Sequence, residues 1–300
     1  MVTALLCAGA MGTTPLIEDA ALTRHVVEAV KATLAENVEA TGVKPDEVSA
    51  TYVELREGKG PFKMGQYRGD EPYYPASVVK LFYLAFAHER MERGEIRRTD
   101  EVDRCLRDMI VDSSNEATQA VVDLVTDTTG GPELAPKALE QWSERRNGVN
   151  RWYAERGYEG INVNQKTYGE GPYGRERQFL GPNYENRNSL TSNTTARLMV
   201  EIATHQIVTP QRCDQMLELL HRQIPADSKD ADSQSKDFTG AVLPSGSELH
   251  SKAGWTSTVR HDVAFVTLPD ARKCVIAIYT KSHSGTPVII KGLAKRLLGL

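Results

Sequence analysis

The sequence predicts an α+β fold in which an antiparallel sheet lobe is built from both ends of the chain and a helical lobe is inserted between them. Three observations predict it. Early in the chain, "VSATYVELREG" and "FKMGQYRGD" alternate with period two on either side of the turn "GKGP". Near the end, "SELHSKAGW", "HDVAFVTLP" and "KCVIAIYTKS" are three β-rich runs in hairpin order. From Ala76 to about residue 222 the apolar spacing is mostly helical. Strands that flank a helical insert imply one sheet lobe from about 20–75 and 238–300 and one helical lobe from about 76–237, within a single domain over 1–300. No internal repeat is visible.

The elements follow in order. Residues 1–15 begin with "VTALLCAGAMG", short, apolar and rich in small residues like the centre of a secretory signal, although no basic residue precedes it. Next, Leu22, Val26, Val30 and Leu34 recur every fourth residue and predict an amphipathic helix ending near Gly42. The hairpin comes after it. Beyond Ala76, Leu81, Phe82, Leu84 and Ala85 mark a buried helix, and irregular Gly- and Asn-rich stretches interrupt the helical region at 146–150 and 157–193. The polar segment "PADSKDADSQSKD" predicts a solvated loop, and a last helix runs from about Pro287 to Leu298.

Composition excludes several functions. Among 300 residues, 40% are hydrophobic and the net charge is −4, so the clustered cations that nucleic-acid phosphates require are absent. No stretch approaches the roughly 18 apolar residues of a membrane span. Cys7, Cys105, Cys213 and Cys274 are far apart and predict isolated buried thiols rather than a disulfide framework or a zinc site. His88, His205, His221, His250, His261 and His283 show no metal-ligand spacing, and no cofactor is expected.

The stretch "YYPASVVKLFYLA" carries the first chemical signal. Ser77 and Lys80 are nearly one helical turn apart, on one face, at the mouth of a helix that should be buried. A buried ammonium is costly unless it is paired or neutral. A serine nucleophile with a lysine base explains the pair, and so does an ordinary N-cap serine. The same spacing recurs at Ser233 and Lys236, inside the polar segment, where a solvated lysine is expected.

Two further stretches extend the pattern. "MIVDSSNEATQAVVDLV" sets Ser113 and Asn115 in a polar break of an apolar helical pattern, and "LHSKAGWTS" puts Lys252 and Gly254 on a predicted strand. With S-x-x-K they resemble the S-x-N and K-[TS]-G elements of the penicillin-recognising serine hydrolases, most closely class A β-lactamases. "ASVVKL", "MIVDSSNEAT" and "KAGWTSTVRHDVAFV" resemble the family's local contexts and occur in its order, over roughly residues 20–298.

The resemblance implies a β-lactamase/D,D-peptidase-like fold, a small-molecule acyl substrate and a periplasmic or secreted location, with a cytoplasmic one left open. It implies that Ser77 is acylated, that Lys80 helps remove its proton, and that the backbone N–H groups of Ser77 and Trp255 form an oxyanion hole. Ser113 would relay a proton to the leaving nitrogen beside Lys252, and Asn115 would hold Lys80 and a substrate amide. Ala253, Gly254, Thr256 and Arg260 fall where the family binds substrate, although Arg260 reads equally well as a surface arginine.

The departures from the family are specific. Ala253 lacks the hydroxyl that usually assists carboxylate binding, and Thr256, Ser257 or Thr258 would have to replace it. The segment between Ser77 and Ser113 is shorter than in class A enzymes, which predicts a more open cleft, and the chain from Ser113 to Lys252 is longer. The E-x-x-L-N segment that carries the deacylating glutamate is not found. Glu176 and Glu170 are the candidate replacements, Glu176 the nearer by position, and the plainer expectation for both, as for Glu185, is a solvated loop carboxylate. A D,D-peptidase or esterase with poor β-lactam turnover, and a β-lactam sensor or inactive scaffold, are therefore the alternatives to a β-lactamase.

Overall fold

The computed structural model describes residues 16–58, 60–281 and 287–300. The signal-like residues 1–15, Cys7 among them, and His283 lie outside the described residues. Strands β1 (Leu16–Glu18), β2 (Val48–Leu55), β3 (Phe62–Tyr67), β4 (His221–Arg222), β5 (Glu248–Trp255), β6 (Val259–Thr267) and β7 (Lys273–Lys281) form a sheet in the order β1-β3-β2-β7-β6-β5-β4. Its pairings are antiparallel except β1 with β3, which is parallel. The helices are α1 (Ala20–Thr41), α2 (Val79–Glu92), α3 (Asp100–Ile110), α4 (Asn115–Thr126), α5 (Pro136–Arg146), α6 (Gly148–Ala154), α7 (Gly174–Leu180), α8 (Ser192–Ala203), α9 (Pro210–Leu220), α10 (Ser233–Lys236) and α11 (Val288–Leu298). The α+β class expected from the sequence is the class found. Two elements had no sequence signal: β1 and β4 are too short for a period of two to register.

Local chemistry explains the frame. Asp19 caps α1 by accepting from the Ala21 and Leu22 N–H groups at 2.9 and 3.1 Å, and Gly42, at φ 65°, ends it with its N–H on Val38 O. In β7 the side chains alternate: Ile276 and Ile278 join Val26, Val30, Leu293 and Leu297 of α1 and α11, whereas Val275, Ala277 and Tyr279 face the helical core. A strand covered on both faces reads as an unbroken apolar run, which is why "CVIAIY" shows no alternation. Gly65 lets α1 lie against β3, since a Cβ there would fall 2.3 Å from the backbone of Leu22.

Helix α2 is the axis of the helical part. Every residue from Val79 to Glu89 is buried, Lys80 included, as expected of a helix apolar all round. It packs against α3, α4, α6 and α9, and a 3-10 turn, Ala76–Val78, leads straight into it. Strands β5 and β6 pack on that turn, so the sheet meets the central helix at Ser77.

Candidate active site

Ser77 sits in the 3-10 turn, half-buried, on a strained backbone. Ala76, just before it, has φ 47°, and Ser113 has φ 57°; both are left-handed conformations that non-glycine residues rarely adopt and that cluster at functional sites. Strand β5 holds the turn from one side at very short range. A Cβ on Gly254 would lie 2.8 Å from Pro75 O, Ser77 N and Val78 N, so only glycine allows the approach, and Trp255 follows it directly. Strand β6 holds the start of the turn through His261, the cross-strand partner of Gly254. His261 Nδ1 accepts from the Thr280 N–H at 3.2 Å, which leaves Nε2 to donate to Tyr74 O at 2.8 Å. Burial drives the His261 pKa down to about 4, so this pin is a neutral imidazole at physiological pH. Sequence reading tested His261 only as a metal ligand; its role is set by a partner 187 residues away, which no local pattern reveals.

Lys80 and Lys252 converge on Ser113. Lys80 Nζ lies 3.2 Å from Ser113 Oγ and 3.0 Å from Asn115 Oδ1, and also donates to Ser113 O. Lys252 Nζ lies 3.1 Å from the same Ser113 Oγ and 3.0 Å from Ala253 O, and donates to Gln234 Oε1. One hydroxyl thus stands between two amines. Burial, only partly offset by Glu116, lowers the Lys80 pKa to about 7. Burial, Lys80 and Arg222 push Lys252 well below the usual lysine range, against the opposing pull of Asp262 and Asp232. Two ammonium groups that share one hydroxyl in this way are no more than about 6 Å apart and repel by at least about 3 kcal/mol at an effective dielectric of about 20, so one proton fewer suits the pair. Ser113 O and Asn115 Oδ1 can only accept, whereas Ser113 Oγ can also donate. A neutral Lys80 therefore keeps all three contacts if the Ser113 hydroxyl donates a hydrogen bond to Nζ while accepting one from Lys252.

Sequence reading missed the residues that fix this arrangement. The segment expected to be a solvated loop instead contains α10, and Gln234 and Ser235 in it are buried. Gln234 turns one end of its amide to Lys252 and the other to Val111 O at 2.8 Å. Arg222 donates to the same Val111 O at 3.1 Å and to Ile110 O at 2.7 Å, anchoring the segment that leads into Ser113. Lys236, the lysine of the second S-x-x-K match, is exposed as expected. Cys213 and Cys274 are buried free thiols, but Cys105 is only half-buried, because α3 is a surface helix with a single apolar stripe.

The glutamates expected to be solvated divide. Glu170 is exposed on its loop. Glu176 is buried on α7, and its carboxylate is fully engaged: Arg146 Nη1 and Nη2 each at 2.8 Å, Tyr168 Oη at 3.0 Å and Lys166 Nζ at 3.2 Å. Burial alone would raise its pKa, but Arg146, Lys166 and Tyr168 together hold it below the usual value. Asp123 completes the cluster, 3.1 Å from Arg146 Nη2, so two buried cations meet two carboxylates. The expectation of a solvated Glu176 thus needs correction: the side chain is buried, and its oxygens are engaged by Arg146, Lys166 and Tyr168. Glu176→Gln is expected to lower folding stability by about 3 kcal/mol, the scale of breaking one partner from a buried pair. It should leave the lifetime of any acyl adduct unchanged. Urea denaturation and time-resolved intact mass on the same variant check both halves.

The remaining candidates line the strand end. Ala253 is fully buried and belongs to the apolar cluster that also holds residues of α1 and α11. Trp255 is 40% exposed and lies 5.5 Å from the Phe238 ring, over which Arg260 stacks at 4.8 Å. Thr256 Oγ1 accepts from the Thr258 and Val259 N–H groups at 3.1 and 3.3 Å and so closes the β5–β6 turn. Among the described residues no group of three or more His, Cys, Asp or Glu side chains could hold a metal ion.

Comparison with known proteins bears on the family and the fold. Residues 29–298 match the model of the beta-lactamase enzyme family. Among solved structures, the β-lactamase of Sphaerobacter thermophilus DSM 20745 superposes with a TM-score of 0.64 at 21% identity, over 92% of this chain and 96% of that one. PBP-A gives a TM-score of 0.64 at 17% identity, over 95% of this chain and 96% of its own. A PBP-A mutant solved as an acyl-enzyme complex with penicillin G gives 0.64 at 17% identity, over 95% and 97%. No curated protein matches.

Proposed function

Because the chain belongs to the beta-lactamase enzyme family, we propose that it is a serine hydrolase of the class A β-lactamase type, acylated on Ser77 and opening β-lactam amide bonds. The observation that carries the reading is Ser113 Oγ, held 3.2 Å from Lys80 Nζ and 3.1 Å from Lys252 Nζ. Neutral Lys80 takes the Ser77 hydroxyl proton as Oγ bonds to the lactam carbonyl carbon. The oxyanion that forms is met by the N–H groups of Ser77 and Trp255, a contribution of about 3 to 4 kcal/mol when such donors are preorganised. The C–N bond then breaks, Ser113 gives its proton to the leaving nitrogen, and Lys80 returns one to Ser113. Lys252 keeps the relay polarised, and Asn115 holds Lys80 and meets the substrate amide. Gly254 allows the strand to close on the nucleophile, with Ala253 beside it. Thr256 and Arg260 are the groups at the strand end suited to a substrate carboxylate. The site of action we propose is the periplasm or the extracellular space, on the signal-like character of residues 1–15. Among the described residues no helix is long and apolar enough to cross a membrane.

The engagement of Glu176 favours a second reading, an esterase or D,D-peptidase-like enzyme, or a sensor, whose lactam adduct is released slowly. A chromogenic cephalosporin added while intact mass is recorded separates the two. A burst of colour equal to the enzyme present, with an adduct on Ser77 and slow turnover afterwards, is the result expected of the second reading. Burst-free hydrolysis above roughly 10 per second would instead require a deacylating base elsewhere. No adduct and no colour would dismiss the lactam reading.

A further inference from the structure

A cavity of about 320 Å³ opens beside the nucleophile turn, walled by Tyr74, Gln165, Tyr168, Pro172, Tyr184 and Arg187. Its volume is at the lower end of small-molecule sites. Tyr74 is three residues before Ser77, so the two Cα atoms are no more than about 11 Å apart. Tyr74 thus ties one wall of the cavity to the nucleophile turn.

Its charge is one-sided. No carboxylate is among the lining residues, and Arg187 is the one charged side chain there. The Arg187 guanidinium lies over the Tyr74 ring, 3.7 Å from its centre, a contact that leaves N–H donors for another partner. The walls are also firmly placed. Asn188, next to Arg187, clasps Gln165: Asn188 Oδ1 accepts from Gln165 N at 2.8 Å, Asn188 Nδ2 donates to Gln165 O at 2.8 Å, and Asn188 N donates to Gln165 Oε1 at 3.2 Å. Tyr168 is tied to buried Glu176, and Tyr74 to His261. An aromatic cavity with a single positioned guanidinium selects a flat or extended group that ends in a negative charge.

We propose that this cavity is the acyl-side subsite of the enzyme and that Arg187 selects acyl donors whose side chain carries a carboxylate. The proposal rests on acylation at Ser77. It is tested with three 4-nitrophenyl esters: the acetate, the hydrogen glutarate with its free terminal carboxylate, and the methyl glutarate, in which that carboxylate is esterified and neutral. The hydrogen glutarate should have a kcat/KM about five- to tenfold above the methyl glutarate, the scale of one charge-assisted contact at an exposed site. The advantage should shrink as salt is raised from 0.01 to 1 M. Arg187→Ala should bring the ratio close to one with acetate turnover unchanged, Arg187→Lys should keep part of it, and Arg187→Glu should invert it. Acylation of Ser77 by all three esters with no preference for the carboxylate, or a preference that survives in Arg187→Ala, overturns the subsite while the serine-hydrolase reading stands. Failure of every ester to acylate Ser77 overturns both.

Discussion

Ser77→Ala is expected to abolish the acyl adduct in intact-mass spectra and to reduce hydrolysis of any ester or lactam substrate by about 10⁴-fold or more. The reason is chemical: on the proposed mechanism the variant keeps the oxyanion donors and the contacts of Lys80 and Lys252 with Ser113, but has no atom to carry the acyl group. What survives is whatever binding and electrostatics alone provide, which in serine hydrolases falls far below the full rate. Stability should not fall with activity. Ser77 is half-buried in a turn, so losing one oxygen opens no sealed cavity, and the strained backbone at Ala76 is unchanged. A thermal midpoint at or above that of the parent, together with lost activity, separates a chemical role from a structural one. Hydrolysis within tenfold of the parent, with the fold intact, would remove Ser77 from the mechanism.

What was legible in the sequence tracks the range of the interaction concerned. The helical repeat of α1, the run "LFYLAFA" and the paired strands depend on near neighbours, and each left a period that could be read. Ser77 with Lys80, Ser113 with Asn115 and Lys252 with Gly254 were legible for the same reason: within each pair the spacing is local, although the pairs meet only in the fold. The residues that were misread are polar ones buried by distant partners. Gln234 stands in a polar, breaker-rich run, and its burial is explained by Lys252, 18 residues on, and by Val111 O, 123 residues back. Glu176 has ordinary loop neighbours, but its partner Arg146 is 30 residues earlier, so hydropathy assigned it to solvent. His261 was in view for its imidazole, yet its work is to grip the backbone of Tyr74 from across the sheet. Ion clusters and backbone clasps of this kind have no sequence period, and at this site they hold Lys252, Tyr74 and the segment before Ser113 in place.

Lys80→Ala is expected to slow acylation by at least about a hundredfold, the usual scale for a positioned base, and the pH dependence of the parent enzyme should show why. A lysine at its ordinary pKa of about 10.4 is less than about 0.1% neutral at pH 7, whereas one held near 7 is about half neutral. The working species is the neutral amine, so the acylation rate should rise with pH through about 7 and level off above it. Were Lys80 unshifted, the rise would continue toward pH 10. The same burial has a signature in stability. Between about pH 7 and 10.5 the unfolded chain carries more protons on this group than the folded one does, so its contribution to folding stability grows with pH across that window. Below about 7 both states are protonated, and the full cost of the buried charge remains. Stopped-flow acylation by a chromogenic ester from pH 5 to 10 measures the kinetic half, with Lys80→Ala as the control that should lose the inflection near 7. Unchanged acylation in Lys80→Ala, or an inflection that persists there, would pass the base to Lys252. Ser113 Oγ, 3.1 Å from that nitrogen, would then be the relay that carries the Ser77 proton to it.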